Sequence, residues 1–383
     1  MMPVGRFNRC VLTEAPVDAS SRKNSGMTAA APPTARTGYW GHLRLRRNVG
    51  PVQLFMRAFI PFVLVLVAVS AASLNWRITA LDRDLNRTIT AFLRLTGERF
   101  ERDLAIPMED LRLLARDAQT LPFTAATFGT HLQNLALARR TYKHVRWVDA
   151  RGIEQVRIDA TDREATIADK SALGDWSRSN FFARVQRLRD QDIHVSNFEL
   201  DSAHGKIVEP LQPIVRFATP YIGAGGKPDG FLVIEVDMRV SLASLRVANP
   251  NGFVELLTRD GYWIKSFDPA LEWGSILRER EGTLFSTRNA RAWGAMLRNR
   301  EGRVTTNNGT FWFREVRPPP ELASDAPSWK LVLQVPAEVF RRRNLAVAAA
   351  LIAIAFAAAL IAAPFYWWLS RKAVSAQAQA ASS

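Results

Sequence analysis

Two long apolar runs interrupt an otherwise mixed sequence. From Ala58 to Trp76 (AFIPFVLVLVAVSAASLNW) and from Leu345 to Ser370 (LAVAAALIAIAFAAALIAAPFYWWLS) no residue is charged. A helix needs about 20 apolar residues, each rising about 1.5 Å, to cross a hydrocarbon layer about 30 Å thick. Each run therefore predicts a transmembrane helix, with Tyr366, Trp367 and Trp368 placed as an aromatic belt at the far end of the second. A buried core helix competes for both runs, and a cleaved signal sequence competes for the first. The 57 residues ahead of the first run favour an uncleaved anchor.

Between the runs the periodicity changes twice. Ile78, Leu81, Leu85, Thr88, Phe92 and Leu95 alternate in steps of three and four, the narrow stripe of a helix beside a second copy of itself. Leu104, Met108, Leu111 and Leu114 resume it around Pro107, where a kink is expected. Strand patterns follow. Residues 143–149 and 153–159 flank a turn at Gly152 and predict a hairpin. Residues 176–188 read as a helix, and 208–222, with three prolines, as edge strands and turns. GAGGKPDG (223–230) resembles a phosphate loop only superficially, because the strand 231–238 follows it rather than a helix; it reads as a hairpin turn. A second hairpin, 251–258 and 262–267, turns at Gly261, 109 residues after Gly152. Strands at 311–316 and 329–335 close the pattern, which suggests an internal duplication of an α+β unit.

These elements divide the chain into a basic tail (1–57), a first span (58–76), a stalk helix (77–120), a membrane-distal unit (121–245), a membrane-proximal unit (246–340), a second span (345–369) and a short tail (370–383). The fold class expected is α+β: a long helix, then two units built on antiparallel sheets, flanked by two spans.

Charge locates the chain. The net charge of +15 suggests nucleic acid until it is divided: residues 1–57 hold nine basic and two acidic residues, and Arg371 and Lys372 follow the second span. A basic excess beside apolar runs is a topology signal. It places both tails in the cytoplasm and residues 77–344 outside, although Arg341, Arg342 and Arg343 oppose that orientation. The N-terminal tail reads as disordered, with an Arg-rich stretch suited to anionic headgroups. The single cysteine, Cys10, excludes an intramolecular disulfide and a cysteine-based metal or redox site. The histidines are scattered, and no His-Glu-x-x-His, Gly-x-Ser-x-Gly or Walker motif is present. The sequence calls for no enzyme activity, cofactor or nucleic-acid partner.

One ordered set of residues carries a resemblance. Tyr142, Arg146, Asp149, Gly152, Glu154 and Arg157 stand in a single spaced motif; Ser196, Phe198 and Leu200, then Glu209-Pro210 and Pro213, follow it. Asp260-Gly261-Tyr262, Asp268-Pro269 and Glu272-Trp273-Gly274 complete the set. The segment resembles the double-Cache, PAS-like extracellular sensors of bacterial histidine kinases and diguanylate cyclases. That resemblance implies a small-molecule sensor in the bacterial inner membrane, with a periplasmic central domain, that signals through the second span. The short stretch after that span departs from the family, which carries an output domain there, and implies either a separate signalling partner or the sensor fragment of a split kinase or cyclase. A homodimer through the stalk is the expected assembly. A membrane interaction protein with a degenerate Cache unit is the alternative.

Candidate ligand residues are Trp176, Arg178, Phe182, Arg216, Tyr221 and Asp237. A buried Arg suits an anionic group through a bidentate contact, and aromatics wall a pocket. Each has a structural alternative: Arg146, Asp149, Glu154 and Arg157 suit cross-strand ion pairs, and Asp237 suits a cap on the helix after it.

Overall fold

The computed structural model describes residues 50–382, apart from 121–124, 162, 190–191, 204–205, 223–227, 246–252 and 324–325. Most of the basic tail, the glycine-rich part of the 223–230 turn and the expected boundary between the two units lie outside the described residues.

One helix, α1 (Pro51–Thr120), carries both the first apolar run and the stalk, and continues through Pro61 and Pro107. Its buried stripe is Ile89, Leu93, Phe100, Leu104, Met108, Leu111 and Leu114. The expected stripe is split by this packing: Leu85 and Phe92 lie partly against the chain's own core, whereas Leu81 and Leu95 are exposed. The sheets of this chain take the Leu85 and Phe92 side of that stripe.

After α2 (Ala125–Ala138) come β1 (Tyr142–Asp149), β2 (Glu154–Ala160), β3 (Ala165–Ile167) and α3 (Asn180–Val185). Short strands β4 (His194–Val195), β5 (Glu199–Leu200), β6 (Ser202–Ala203) and β7 (Lys206–Ile207) lead to the long pair β8 (Pro213–Ile222) and β9 (Pro228–Asp237). The first sheet runs β3-β2-β1-β9-β8-β4, with β5 also on β8. Then follow α4 (Arg239–Ser244), β10 (Phe253–Leu257), β11 (Trp263–Lys265), α5 (Phe285–Arg288), α6 (Ala290–Arg298), β12 (Glu301–Thr306), β13 (Gly309–Val316) and β14 (Trp329–Pro336). The second sheet runs β11-β10-β14-β13-β12. α7 (Ala337–Ser382) leaves β14 directly and carries the second apolar run.

Two sequence expectations are corrected here. Residues 213–222 form an interior strand, not an edge. Pro213 is its first residue, and Met238 N–H still bonds to the Pro213 carbonyl. Arg216 N–H points to the β4 side, onto Ser196 Oγ at 2.9 Å. Four residues on, the Pro220 nitrogen points the same way, but β4 has already ended where His194 pairs Ala218. No ladder bond is lost. The helix expected over 176–188 is only α3. Asp175 Oδ1 takes Ser177 N–H at 2.8 Å and Ser179 Oγ caps α3 through Phe182 N–H at 3.0 Å. Both side chains compete with helical hydrogen bonding before residue 180.

A single apolar cluster joins one face of each sheet to α1. It includes Val215, Phe217, Leu232 and Ile234 of the first sheet and Leu256, Trp312, Leu331 and Leu333 of the second. At the junction Phe198 packs against Phe100, Trp273 and Trp329, with ring centroids 6.2, 6.5 and 5.1 Å apart. The opposite face of the second sheet is closed by α5 and α6 through Phe285, Trp293 and Met296. The opposite face of the first sheet carries the charged cluster described next.

Candidate functional site

Strand alternation sends Arg146 of β1 and Arg216 of β8 to the face of the first sheet away from α1 and α2. Glu235 of β9 sits between them, directly opposite Arg216 in the ladder. Its carboxylate is 3.2 Å from Arg146 Nη1 and 2.9 Å from Arg216 Nε, and its side chain is 1% exposed. Burial pushes the Glu235 carboxyl up, but the guanidiniums of Arg146 and Arg216 outweigh it and hold the pKa at about 2. Burial works against the charge of Arg216, and Glu235 and Glu199 more than offset it, so its pKa rises. Glu199 of β5 is the second carboxylate on Arg216, through Nη1.

Glu154 of β2 closes the other side. Its oxygens accept from Gly174 N–H at 2.8 Å and Trp176 Nε1 at 2.9 Å, and lie 2.9 Å from Arg146 Nε. The last is an ion contact without hydrogen-bond alignment. Glu235 Oε1 also lacks a hydrogen-bond partner, with His144 Nε2 at 3.7 Å. Further out, the His144 ring nitrogen at 2.8 Å and Arg157 hold Asp159, whose pKa falls to about 2.

The Trp176 indole covers this cluster. Its centroid lies 5.2 Å from the Arg146 guanidinium carbon and 5.6 Å from that of Arg216, a cation–π arrangement. Gly152 sets the position of Trp176. Trp176 N–H bonds to the Gly152 carbonyl at 2.7 Å, and a Cβ on Gly152, at φ 91°, would stand 2.8 Å from the Ser177 backbone. The matching Gly261, at φ 88°, accepts Phe285 N–H in the same way at 2.9 Å. Beside the indole, Val148, Phe182, Val185, Ala218 and Val233 form a small apolar floor. The crevice between Trp176 and this floor measures only about 10 Å³, close to the room one water needs. A larger cleft of about 630 Å³ lies between the sheets, lined among others by Arg184, Arg187, His194 and Arg259.

The six expected residues fall into different places. Trp176 and Arg216 meet in the cluster, and Phe182 lies in its floor. Arg178 is exposed on the turn before α3. Tyr221 points to the other face of the sheet, packed on Phe128 and Trp147 at 5.6 and 5.4 Å. Asp237 lies beyond the cluster, accepting from the Arg239 backbone at 2.8 Å and from its guanidinium at 2.8 and 2.5 Å. Sequence reasoning missed Glu235 and Glu199 altogether. The signal for Glu235 was present: it is an acid inside the apolar strand FLVIEVDM. Arg146 and Glu154 form the cross-strand ion pair expected of them, whereas Arg157 pairs with Glu154 and Asp159 along its own strand and Asp149 binds Arg151 and the Ile153 backbone at the turn.

Comparison with known proteins agrees with this architecture. The extracellular domain of the histidine kinase vpHK1S-Z8 has the same fold at 21% identity and a TM-score of 0.58, over 68% of this chain and 94% of that one. A sensory box/GGDEF family protein from Vibrio parahaemolyticus aligns at 22% identity and a TM-score of 0.58, over 67% of this chain and 97% of that domain. No curated protein matches the sequence. Residues 127–324, more than half of the chain, match the family model for the bacterial histidine kinase sensor domain. With that match, and with the long helix, the first sheet and the second sheet in the order described, the chain belongs to the bacterial histidine kinase sensor-domain family.

Proposed function

We propose that the protein is a membrane-anchored sensor that binds a small molecule on the distal unit (residues 121–245) and passes the event through the proximal unit (246–340) and α7 to a signalling output. The observation that carries this reading is the buried cluster of Arg146, Arg216, Glu154 and Glu235 under Trp176. A structural core does not need two guanidiniums on one face of a sheet, because burying charge costs several kcal/mol per ion before pairing. Such clusters under an aromatic cover suit polar ligands.

Two helices are long and apolar enough to cross a membrane, and their apolar stretches are not buried within the protein. They supply the anchor in this reading, in the bacterial inner membrane with both tails cytoplasmic and the sensor outside. Exposed Leu81 and Leu95 offer α1 to a second copy. The tight crevice beside Trp176 favours a second reading, in which the distal unit takes no ligand and the protein acts by pairing with another membrane protein.

Thermal unfolding against a metabolite library separates the two. A ligand at 100 times its Kd adds about 2.7 kcal/mol of stability, a shift of several degrees. A stabilising metabolite supports the sensor; a well-folded chain with none supports the pairing reading.

A further inference from the structure

We propose that Glu199 occupies, from within the chain, a carboxylate subsite on Arg216, and that the ligand of this face carries a carboxylate which takes its place. This deepens the sensor reading and rests on it.

The two acids on Arg216 are not equivalent. Glu235 lies opposite it in the ladder, is 1% exposed, and also binds Arg146. It is the fixed counter-charge behind the guanidinium. The Glu199 side chain is 38% exposed and belongs to a strand of two residues that pairs with β8 only through Glu199–Ile214 and Leu200–Pro213. Its neighbours Phe198 and Leu200 are buried and hold the strand in place, so only the partly exposed Glu199 side chain has to rotate away. Arg216 is thus held at Nε by Glu235, covered on its face by Trp176, and presents Nη1 to a partner that is free to leave. A planar guanidinium held in this way selects a carboxylate by geometry.

Charge balance narrows the ligand further. Arg216 is 17% exposed and shares Glu235 with Arg146, so a partner that leaves Nη1 without a replacement leaves that N–H without its charged acceptor. A carboxylate that enters as Glu199 leaves keeps the charge of the cluster constant. Glu199, already partly in water, is released without new burial. A neutral or cationic molecule makes no such exchange. Competition by Glu199 also lowers apparent affinity by the fraction of time it vacates the subsite, and its removal raises affinity correspondingly.

The test is chemical rescue in the full chain, held in detergent micelles. Glu199→Ala is expected to melt below the wild type in sodium chloride. Sodium acetate at about 100 mM, matched in ionic strength, should restore several degrees to the variant and little to the wild type. Acetamide should restore nothing. Glu199→Gln, which keeps the shape, should bind acetate about tenfold more tightly than the wild type. If acetate moves neither variant beyond the chloride control, the subsite is wrong. A metabolite without a carboxylate that stabilises the wild type, and is unaffected by Glu199→Gln, also overturns this proposal while leaving the sensor reading intact. Acetate rescue without any wild-type ligand supports the subsite and removes the sensor reading instead.

Discussion

Glu235 and Glu255 are both buried acids on central strands, yet their surroundings push them in opposite directions. Glu235 is held down to about 2 by two guanidiniums, and Asp159 falls to the same value through His144 and Arg157. Among the described residues no cation pairs with Glu255; burial raises its pKa, with Trp263 and Ser266 opposing only in part. Burial likewise raises Glu101. A lowered acid contributes stability that is present above its ordinary pKa and lost as pH falls through the folded value. A raised acid costs stability at neutral pH that is recovered as pH falls towards its ordinary value. The melting temperature should therefore rise as pH drops from 7 towards about 4.5, the ordinary glutamate value, then fall between about 4.5 and 2. Glu255→Gln should reduce the rise and leave the fall. A pH series of melting curves reads both limbs; a curve that stays level below pH 4 would contradict the pairing assigned to Glu235 and Asp159.

At the scale of elements, the two matched hairpins are built alike because each glycine does two jobs. Gly152 and Gly261 take positive φ, and each also lies under a later segment whose backbone N–H bonds to its carbonyl. A Cβ at 152 would press on the Ser177 backbone at 2.8 Å and on Phe182 at 3.1 Å. Gly152→Ala should cost about 1–3 kcal/mol, the range for a strained left-handed residue, and should displace Trp176. The check is melting together with the tryptophan emission of the variant. An unchanged melting temperature would show that Gly152 does not position the cover. Both hairpins were legible because Gly turns between alternating strands are local signals. The segment 176–188 was not, because its apolar spacing suits a helix while Asp175 and Ser179 divert the backbone. β8 was misread as an edge because only its neighbour's end, at His194, makes room for Pro220. That fact belongs to the sheet and not to the strand. Half of the candidate cluster was legible for the same reason. Trp176 and Arg216 stand out as residue types, but the face of a residue depends on strand register, which sent Tyr221 to the other side.

The whole molecule is tied together by α1 and by one aromatic junction. Near the basic ends of the two apolar runs, α1 and α7 touch through Phe55–Trp367 and Phe62–Tyr366, at 5.8 and 5.4 Å. Between the sheets, Phe198 meets Phe100, Trp273 and Trp329. Phe198 is also the residue before Glu199, so any movement of β5 reaches the second sheet, whose last strand continues into α7. Phe198→Ala should cost about 3–5 kcal/mol as a large-to-small change in a core. It should also split a single calorimetric transition into two, because the shared cluster is what couples the sheets. A single transition, merely lower, would mean that α1 alone couples them.

We propose above that the Trp176-covered face binds a small molecule through Arg216. The most direct measurement is thermal unfolding of the wild type and of Arg216→Lys, which keeps the charge but loses the fork, against the same metabolite library. At least one small molecule should stabilise the wild type by several degrees and leave the variant unmoved. A library in which nothing stabilises the wild type, or in which the variant responds as strongly, would contradict it.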